Sequence, residues 1–401
     1  MRRRDFVKLT VAGAAALPFA GCQKAAAPSP TLPANPLFRV SQIPDQAVTA
    51  ANRHVGVDAL LDVMGRNGLK FFRTSAAGTE NGANGLIAAG DVVLIKVNAQ
   101  WKYRGCTNSD VVRGVVQRIL EHPDGFHGEV VIVENGQGRG SLACDTSSSY
   151  GNSEVHANAE DDQDSFLWLV DSLFQDARVS AYLFDPIAGT FIDDSDHVTD
   201  GYRRLENVSY PCFTTAGGRR VELAHGVWSG TAFDDNLKLV NIPVLKHHDV
   251  GGSEITGALK HMYGLVSMSD GQSGFRHYGG LGETCGKMMV AVQTPVLNIM
   301  DAIWVSQGAL EGTPASATTR TNQLVASQDP VALDFWAAKH VLYPIDSNPN
   351  HSPDYAGIDA WLSSALSTIN GRGGFSGKSR GILVGTTTKT ESEMTLYETT
   401  P

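Results

Sequence analysis

Apolar positions along the chain alternate between two rhythms. Val92 to Val97 is a continuous, β-branched-rich run that ends in a turn-rich loop. From Ser109 onward, Val111, Val112, Val115, Val116, Ile119 and Leu120 recur at helical spacing. After the Pro123-Asp124-Gly125 break, Val130 to Val133 supplies a second run of strand length. Residues 91–134 therefore predict a βαβ unit with parallel strands and a right-handed crossover.

The same order returns further on. Leu237 to Leu245 predicts a strand in which Pro243 marks an edge or a bulge, because proline cannot donate to a ladder. Ser253 is expected to cap a helix running to about Val266, and Pro295 to Met300 predicts a strand ending at Asp301. Gln323 to Ala326 reads as a short strand before a helix over Val331 to Leu342, with Asp329 as its N-cap and Pro330 at its first position. The expected fold class is α/β: an open, mostly parallel sheet with helices on both faces. Residues 141–235 fit the pattern least and are expected to form an acidic insertion within a single α/β domain spanning 41–401.

Charge sharpens that picture. Residues 141–200 hold thirteen Asp or Glu and one Lys or Arg, Arg178. Asp193-Asp194-Ser195-Asp196 within them is either a solvated acidic loop or a cation site, although it lacks the glycine and distal glutamate of an EF-hand loop. The formal charge is −10, and removing the +3 of residues 1–21 (Arg2, Arg3, Arg4, Lys8 against Asp5) leaves −13. No nucleic-acid partner is expected of such a chain, whereas a basic protein partner at the acidic insertion suits it.

The first residues carry a separate message. Arg3-Arg4-Asp5-Phe6-Val7-Lys8 precedes a mildly apolar stretch from Leu9 to Gly21, the layout of a twin-arginine export signal over residues 1–21. That stretch is shorter than the roughly 20 residues a membrane-spanning helix needs. Phe19-Ala20-Gly21-Cys22 resembles a lipobox, with Phe19 where leucine is usual, so Cys22 is a candidate for lipidation, with simple cleavage as the alternative. Residues 22–40, rich in Ala and Pro, then read as a tether. The expectation is a periplasmic or outer cell-envelope lipoprotein held to the membrane by its anchor. The other cysteines, Cys106, Cys144, Cys212 and Cys285, form no C-x-x-C and no iron–sulfur motif, and they allow three disulfide pairings.

Candidate chemistry concentrates after the Leu237 to Leu245 strand, in Lys246-His247-His248-Asp249. Loops at the carboxyl ends of strands in such sheets bind ligands. Lys246, His247, His248 and Lys260 are the candidate catalytic residues, a lysine of depressed pKa being able to act as base or amine. His247, His248 and Asp249 offer nitrogen and oxygen donors to a divalent transition metal, the one cofactor suggested. Lys96, Asn98, Thr256, Arg276, His277 and Asp329 are candidate substrate-binding residues, with Tyr278 beside them and Asp301 at a strand end. Gly136-Gln137-Gly138-Arg139-Gly140 follows a strand as a phosphate loop would, but no Lys-Ser/Thr closes it.

Four of these stretches together resemble a known family. They are Asp91 to Asn98 (DVVLIKVN), Val240 to His248 (VNIPVLKHH), Thr256 to Gly264 (TGALKHMYG) and Ser327 to Asp334 (SQDPVALD). In this order they are similar to domain-of-unknown-function family 362, with the likeness running from about residue 50 to 370. The resemblance implies an α/β protein, in some members fused to a ferredoxin-like iron–sulfur module, and no general activity. The chain departs in lacking that module's cysteines, in having His248 after His247 where a single histidine is usual, and in having His261 where asparagine is common. A looser similarity, in the pairing of histidines with a lysine, is to the nickel-pincer lactate racemases, and no activity is carried over from it.

These features suggest an exported enzyme that handles a small anionic or polyhydroxylated molecule through a Lys/His site. The alternative is a non-enzymatic ligand-binding lipoprotein or a maturation or assembly factor.

Overall fold

The computed structural model describes residues 32–136, 141–146, 151–184, 201–248, 255–267, 279–312, 315–375, 382 and 384–401. Thr31–Pro401 is one compact unit. Its framework is a mixed ten-stranded sheet. In chain order the elements used below are β1 (Pro36–Val40), α1 (Val55–Arg66), β2 (Val92–Lys96), α2 (Ser109–Leu120), β3 (Glu129–Asn135) and β4 (Val179–Phe184). They continue with β5 (Leu237–Asn241), β6 (Val244–His247), β7 (Ile255–Thr256), α3 (Ala258–His261), α4 (Leu281–Lys287) and β8 (Leu297–Ser306). The last are β9 (Thr318–Ser327), α5 (Pro330–Ala337), α6 (Ala356–Gly371) and β10 (Thr395–Thr399).

The strand order is β10-β1-β9-β8-β5-β2-β3-β4, with β6 branching from β8 and β7 pairing with β6. The run β8-β5-β2-β3-β4 is parallel throughout. β9 returns antiparallel to β8 and to β1. Alternation along each strand divides the core in two. Val92 and Leu94, Val131 and Val133, and Leu237 and Leu239 pack into one apolar cluster with residues of α3 to α6. Val93 and Ile95, Val130 and Ile132, and Val240 pack into the other with residues of α1 and α2. Helices therefore cover both faces, which is why the parallel strands read as unbroken apolar runs.

Four expectations change. Pro243 does more than mark a bulge, because the predicted single strand divides there. β5 pairs with β2 and with the start of β8, whereas β6 continues along β8, Val244 beside Asp301 and Lys246 beside Ser306. The helix expected from Ser253 starts only at Ala258 and gives way at Met262 to a 3-10 turn, Ile255–Thr256 being strand. Gly257 has no capping side chain, so Asp334 of α5 caps α3 from a distance, accepting from Ala258 N at 2.5 Å and Leu259 N at 3.0 Å. Asp301 lies inside a ten-residue strand, not at its end. Of the segment read as an insertion, Val179–Phe184 joins the main sheet as its edge strand, and Tyr202 to Asp234 builds a separate five-stranded sheet. The Asp193 to Asp196 cluster lies outside the described residues.

Candidate functional site

Parallel strands present their carboxyl ends on one edge, and Lys96, Glu134, Asn241, Lys246 and His247 are the last residues or nearly so of β2, β3, β5 and β6. Lys96 is completely buried. Its ammonium meets three acceptors: Glu134 Oε2 at 2.7 Å, Val97 O at 2.8 Å and His261 Nε2 at 3.2 Å. Since a lysine ammonium has three protons and no lone pair, His261 Nε2 accepts here and His261 Nδ1 carries the ring proton. That proton is donated to Asn241 Oδ1 at 2.6 Å, and Asn241 Nδ2 donates onward to Asn298 Oδ1 at 2.9 Å and Ala258 O at 3.0 Å. Glu134 also accepts from the backbone of Ala99 and Asn135.

Burial pulls the Lys96 pKa down, with Glu134 opposing it. It pushes the Glu134 carboxyl up against the pull of Lys96. Burial first, then the Lys96 charge, holds His261 well below the ordinary histidine range. The chain folds tightly around the group: a Cβ on Gly264 would lie 2.7 Å from both Lys96 Nζ and Glu134 Oε1.

Lys246 belongs to the same neighbourhood, since its charge acts on His261 and the Glu134 charge acts on it. Its ammonium donates to Gly105 O at 2.6 Å and Leu310 O at 3.0 Å, joining the loops that follow β2 and β8. Burial lowers its pKa to about 7, with the Cys106 thiol the largest opposing influence. Thr256 is buried opposite Lys246 in the β6–β7 pair. Asn98 exchanges backbone and hydroxyl hydrogen bonds with Thr107, while its buried Oδ1 meets no partner among the described residues.

His247 heads a second chain. His247 Nδ1 lies 2.9 Å from His351 Nε2, and His351 Nδ1 lies 3.2 Å from Asp346 Oδ1. With both rings neutral, the Asp346 carboxylate accepts from His351 Nδ1, His351 Nε2 accepts, and His247 Nδ1 donates. The second ring nitrogen of His247, Nε2, then carries the lone pair, which suits a base or a metal ligand. His351 is fully buried and His247 half-buried. His248 is buried.

The remaining candidates divide by environment. Lys260 is buried on α3, and its charge opposes the burial that pushes the Cys285 thiol up. Asp329 is a fully buried N-cap: Oδ1 accepts from Val331 N at 2.9 Å and Ala332 N at 3.0 Å, and Oδ2 accepts from Thr388 N at 3.0 Å. It pins the 387–388 segment to α5. Asp301 likewise serves backbone, accepting from Asn108 N at 2.8 Å and Ile303 N at 3.1 Å. Asp249, Arg276, His277, Tyr278, residues 137–140 of the glycine-rich loop and Cys22 lie outside the described residues. Among the described residues no group of three or more His, Cys, Asp or Glu could hold a metal ion, and no helix is long and apolar enough to cross a membrane.

Sequence reasoning missed Glu134, Asn241, Asp346 and His351 as partners. Glu134 was discoverable as a charged residue closing an apolar strand at the ligand-facing edge, and Asn241 as its counterpart one strand over. Nothing local flags His351, which lies 104 residues beyond His247.

A polar cleft of about 260 Å³ lies elsewhere, lined among others by Arg104, Asp110, Glu160, Trp304 and Arg320. Both guanidinium groups lie against the Trp304 ring, at 4.4 Å and 5.5 Å from its centroid.

Residues 212–339 match the family model described as a domain of unknown function (DUF362). The match bears out the family resemblance and includes three of the four motifs that carried it, Asp91 to Asn98 lying outside the matched segment. No curated protein and no solved structure matches the chain.

Proposed function

We propose that this chain, with its DUF362 segment, is an enzyme that acts on a small anionic or polyhydroxylated molecule at the carboxyl edge of its parallel sheet. The observation that carries the reading is the concentration of Lys96, Glu134, His261 and Lys246, all buried and electrostatically coupled, at one sheet edge. Burying charge costs stability even when it is paired, and groups shifted this far from their ordinary pKa cluster at functional sites. In this reading His247 Nε2 is the acid/base group, oriented by His351 and Asp346. Lys246, held near neutrality, either moves a proton or attracts the anionic part of the substrate. Lys260, Thr256, Arg276 and His277 are the further candidates for holding substrate. A divalent transition metal bound by His247 and His248 with Asp249 is the variant in which His247 Nε2 is a ligand and not a base.

The test uses purified full-length protein, elemental analysis and a thermal-shift panel of small carboxylates, phosphates and sugars. The expectation is a stabilising ligand whose effect is lost in His247→Ala and Lys246→Met. Equal shifts in the wild type and both variants would rule the site out. A second reading, a ligand-binding lipoprotein or assembly factor, is favoured by the three acceptors that satisfy Lys96 and the two carbonyls that hold Lys246, an arrangement that also suits a rigid scaffold. It predicts binding without turnover, and capture of a basic protein partner that is lost when the acidic side chains of residues 141–200 are neutralised. In both readings the protein acts outside the cytoplasm, exported by the twin-arginine route and anchored through Cys22. Cell fractionation and mass spectrometry of wild type, Arg3→Lys/Arg4→Lys and Cys22→Ala check this, with cytoplasmic retention expected of the first variant and loss of acylation of the second.

A further inference from the structure

One wall of the polar cleft comes from β8 and β9, where Trp304 and Arg320 are register partners and so present their side chains on the same face. Arg104, from the loop after β2, stacks on the same indole at 4.4 Å from its centroid, closer than Arg320 at 5.5 Å. Backbone fixes Arg104 in place. Gly312 has a φ of +75°, and a Cβ there would lie 2.4 Å from Arg104 C, while a Cβ on Gly105 would lie 2.5 Å from Glu311 O. The loops after β2 and β8 therefore touch main chain to main chain, which only glycine permits at these two positions.

The two guanidinium groups differ in what they meet. Arg320 pairs with Asp45 Oδ1 at 3.0 Å and donates to Asn322 Oδ1 at 2.6 Å. Arg104 donates to Asn158 Oδ1 at 2.5 Å and forms no ion pair among the described residues, while burial works against its charge. On the acidic side, Asp110 is only 3% exposed. Its Oδ2 accepts from Glu160 N at 2.7 Å, and its Oδ1 accepts from no described residue. Burial pushes this carboxyl up to about 6. Glu160 is committed through Oε1 to the backbone N–H groups of Ala47 and Val48. His54 adds no charge, since burial lowers its pKa to about 4.

The cleft thus holds a guanidinium without a carboxylate and a carboxylate oxygen without a donor. Each costs stability as it stands, and each is complemented by the opposite charge. A plain anion would satisfy Arg104 but face a lining of two guanidinium groups against three carboxylates, Asp45, Asp110 and Glu160. A plain cation would meet the reverse conflict at Arg104. From this geometry we infer that the cleft binds a small α-amino acid as its zwitterion, with the carboxylate on Arg104 beside the Trp304 ring and the ammonium group on Asp110 Oδ1. The planar fork of arginine suits a carboxylate. Asp110 lies close enough for its charge to act on Arg104, so one small molecule can meet both poles. The volume of about 260 Å³ falls just under the roughly 300–1,000 Å³ of pockets for drug-sized ligands, which fits an occupant of a few heavy atoms. This site takes a different class of ligand from the Lys/His edge, and the inference stands whether or not that edge is catalytic.

The experiment titrates the full-length protein by calorimetry with glycine, L-alanine, L-serine and L-threonine. Each is run beside the amine and the acid that lack its other charged group; for serine these are ethanolamine and 3-hydroxypropanoate. At least one amino acid is expected to saturate a single site, with its amine and its acid each weaker by about tenfold or more, the least that loss of a charge-assisted hydrogen bond brings. Arg104→Met and Asp110→Asn are each expected to weaken the amino acid by a similar factor, and Asp110→Asn to leave the weak binding of the acid unchanged. His247→Ala is expected to bind the amino acid as the wild type does. Absence of binding by all four amino acids overturns the inference, as does an amine or an acid that binds as tightly as its amino acid. Binding that survives both cleft variants, or that is lost in His247→Ala, assigns the ligand elsewhere and overturns it too. The comparison of three ligands on the wild type needs no variant, so a substitution that fails to fold leaves the test standing.

Discussion

At the scale of single residues, Lys246 gives the most direct pH signature. Its pKa is about 7 in the folded chain against 10.5 for an ordinary lysine. Between those values the unfolded chain binds the proton and the folded chain does not, so this residue's contribution to stability rises with pH across that window. Below pH 7 the cost of burying the ammonium is fully present. The slope is about 1.4 kcal/mol per pH unit for one group. Denaturant unfolding of wild type and Lys246→Met at several pH values should show that rise in the wild type and its loss in the variant. His247 makes a different prediction. If His351 and Asp346 fix its tautomer, nitrogen NMR should find the His247 proton on Nδ1, and His351→Ala should redistribute it between the two nitrogens. A wild-type His247 that already samples both tautomers equally would show that the His351 contact does not orient it.

At the scale of elements, the approach of α3 and the following 3-10 turn to the sheet rests on Gly264 and Asp334. Gly264→Ala would push a methyl group against Lys96 and Glu134, and overpacking of a rigid interior costs about 1–3 kcal/mol. Thermal unfolding should register that loss, together with a changed environment for His261. Asp334→Ala removes the acceptors for Ala258 N and Leu259 N, and since burial holds the Asp334 carboxyl up at about 7, its replacement also alters the acid limb of the stability profile. Loss of an N-cap costs about 0.5–2 kcal/mol and leaving buried N–H groups unpaired about 1–3. A neutral Asp334→Ala would mean that α3 is held by its apolar contacts alone.

These elements also show why the sequence was only partly readable. The strand–loop–helix unit at residues 91–134 and the Asp329-Pro330 helix start were legible because their signals are local: apolar period, turn residues and an N-cap next to its helix. The start of α3 was not, because its cap comes from Asp334, 76 residues away from Ala258. The division at Pro243 was half legible. Proline announces that the ladder is interrupted, but only the sheet order reveals that the chain then follows a different neighbour. The site divided the same way. Lys96, Lys246 and His247 were readable as polar residues ending apolar runs, whereas their partners arrive from β3 and α3 for Lys96, from the loops after β2 and β8 for Lys246, and from the segment before α6 for His247.

At the scale of the whole molecule, the account makes the carboxyl edge of the parallel sheet the working face, and the rest of the fold its support. Two apolar clusters hold the sheet from both sides and keep four buried charged or imidazole groups in register at that edge. A competing location exists in the Arg104–Arg320 cleft, which is open, polar and built partly from β8 and β9. The most direct measurement is a crystal structure of the full-length protein bound to whichever small carboxylate, phosphate or sugar stabilises it most in the thermal-shift panel. The account predicts density within hydrogen-bonding distance of His247 Nε2 and beside Lys246 at the end of β6. Density confined to the cleft against Trp304, with the lysine–histidine edge unchanged, would contradict it.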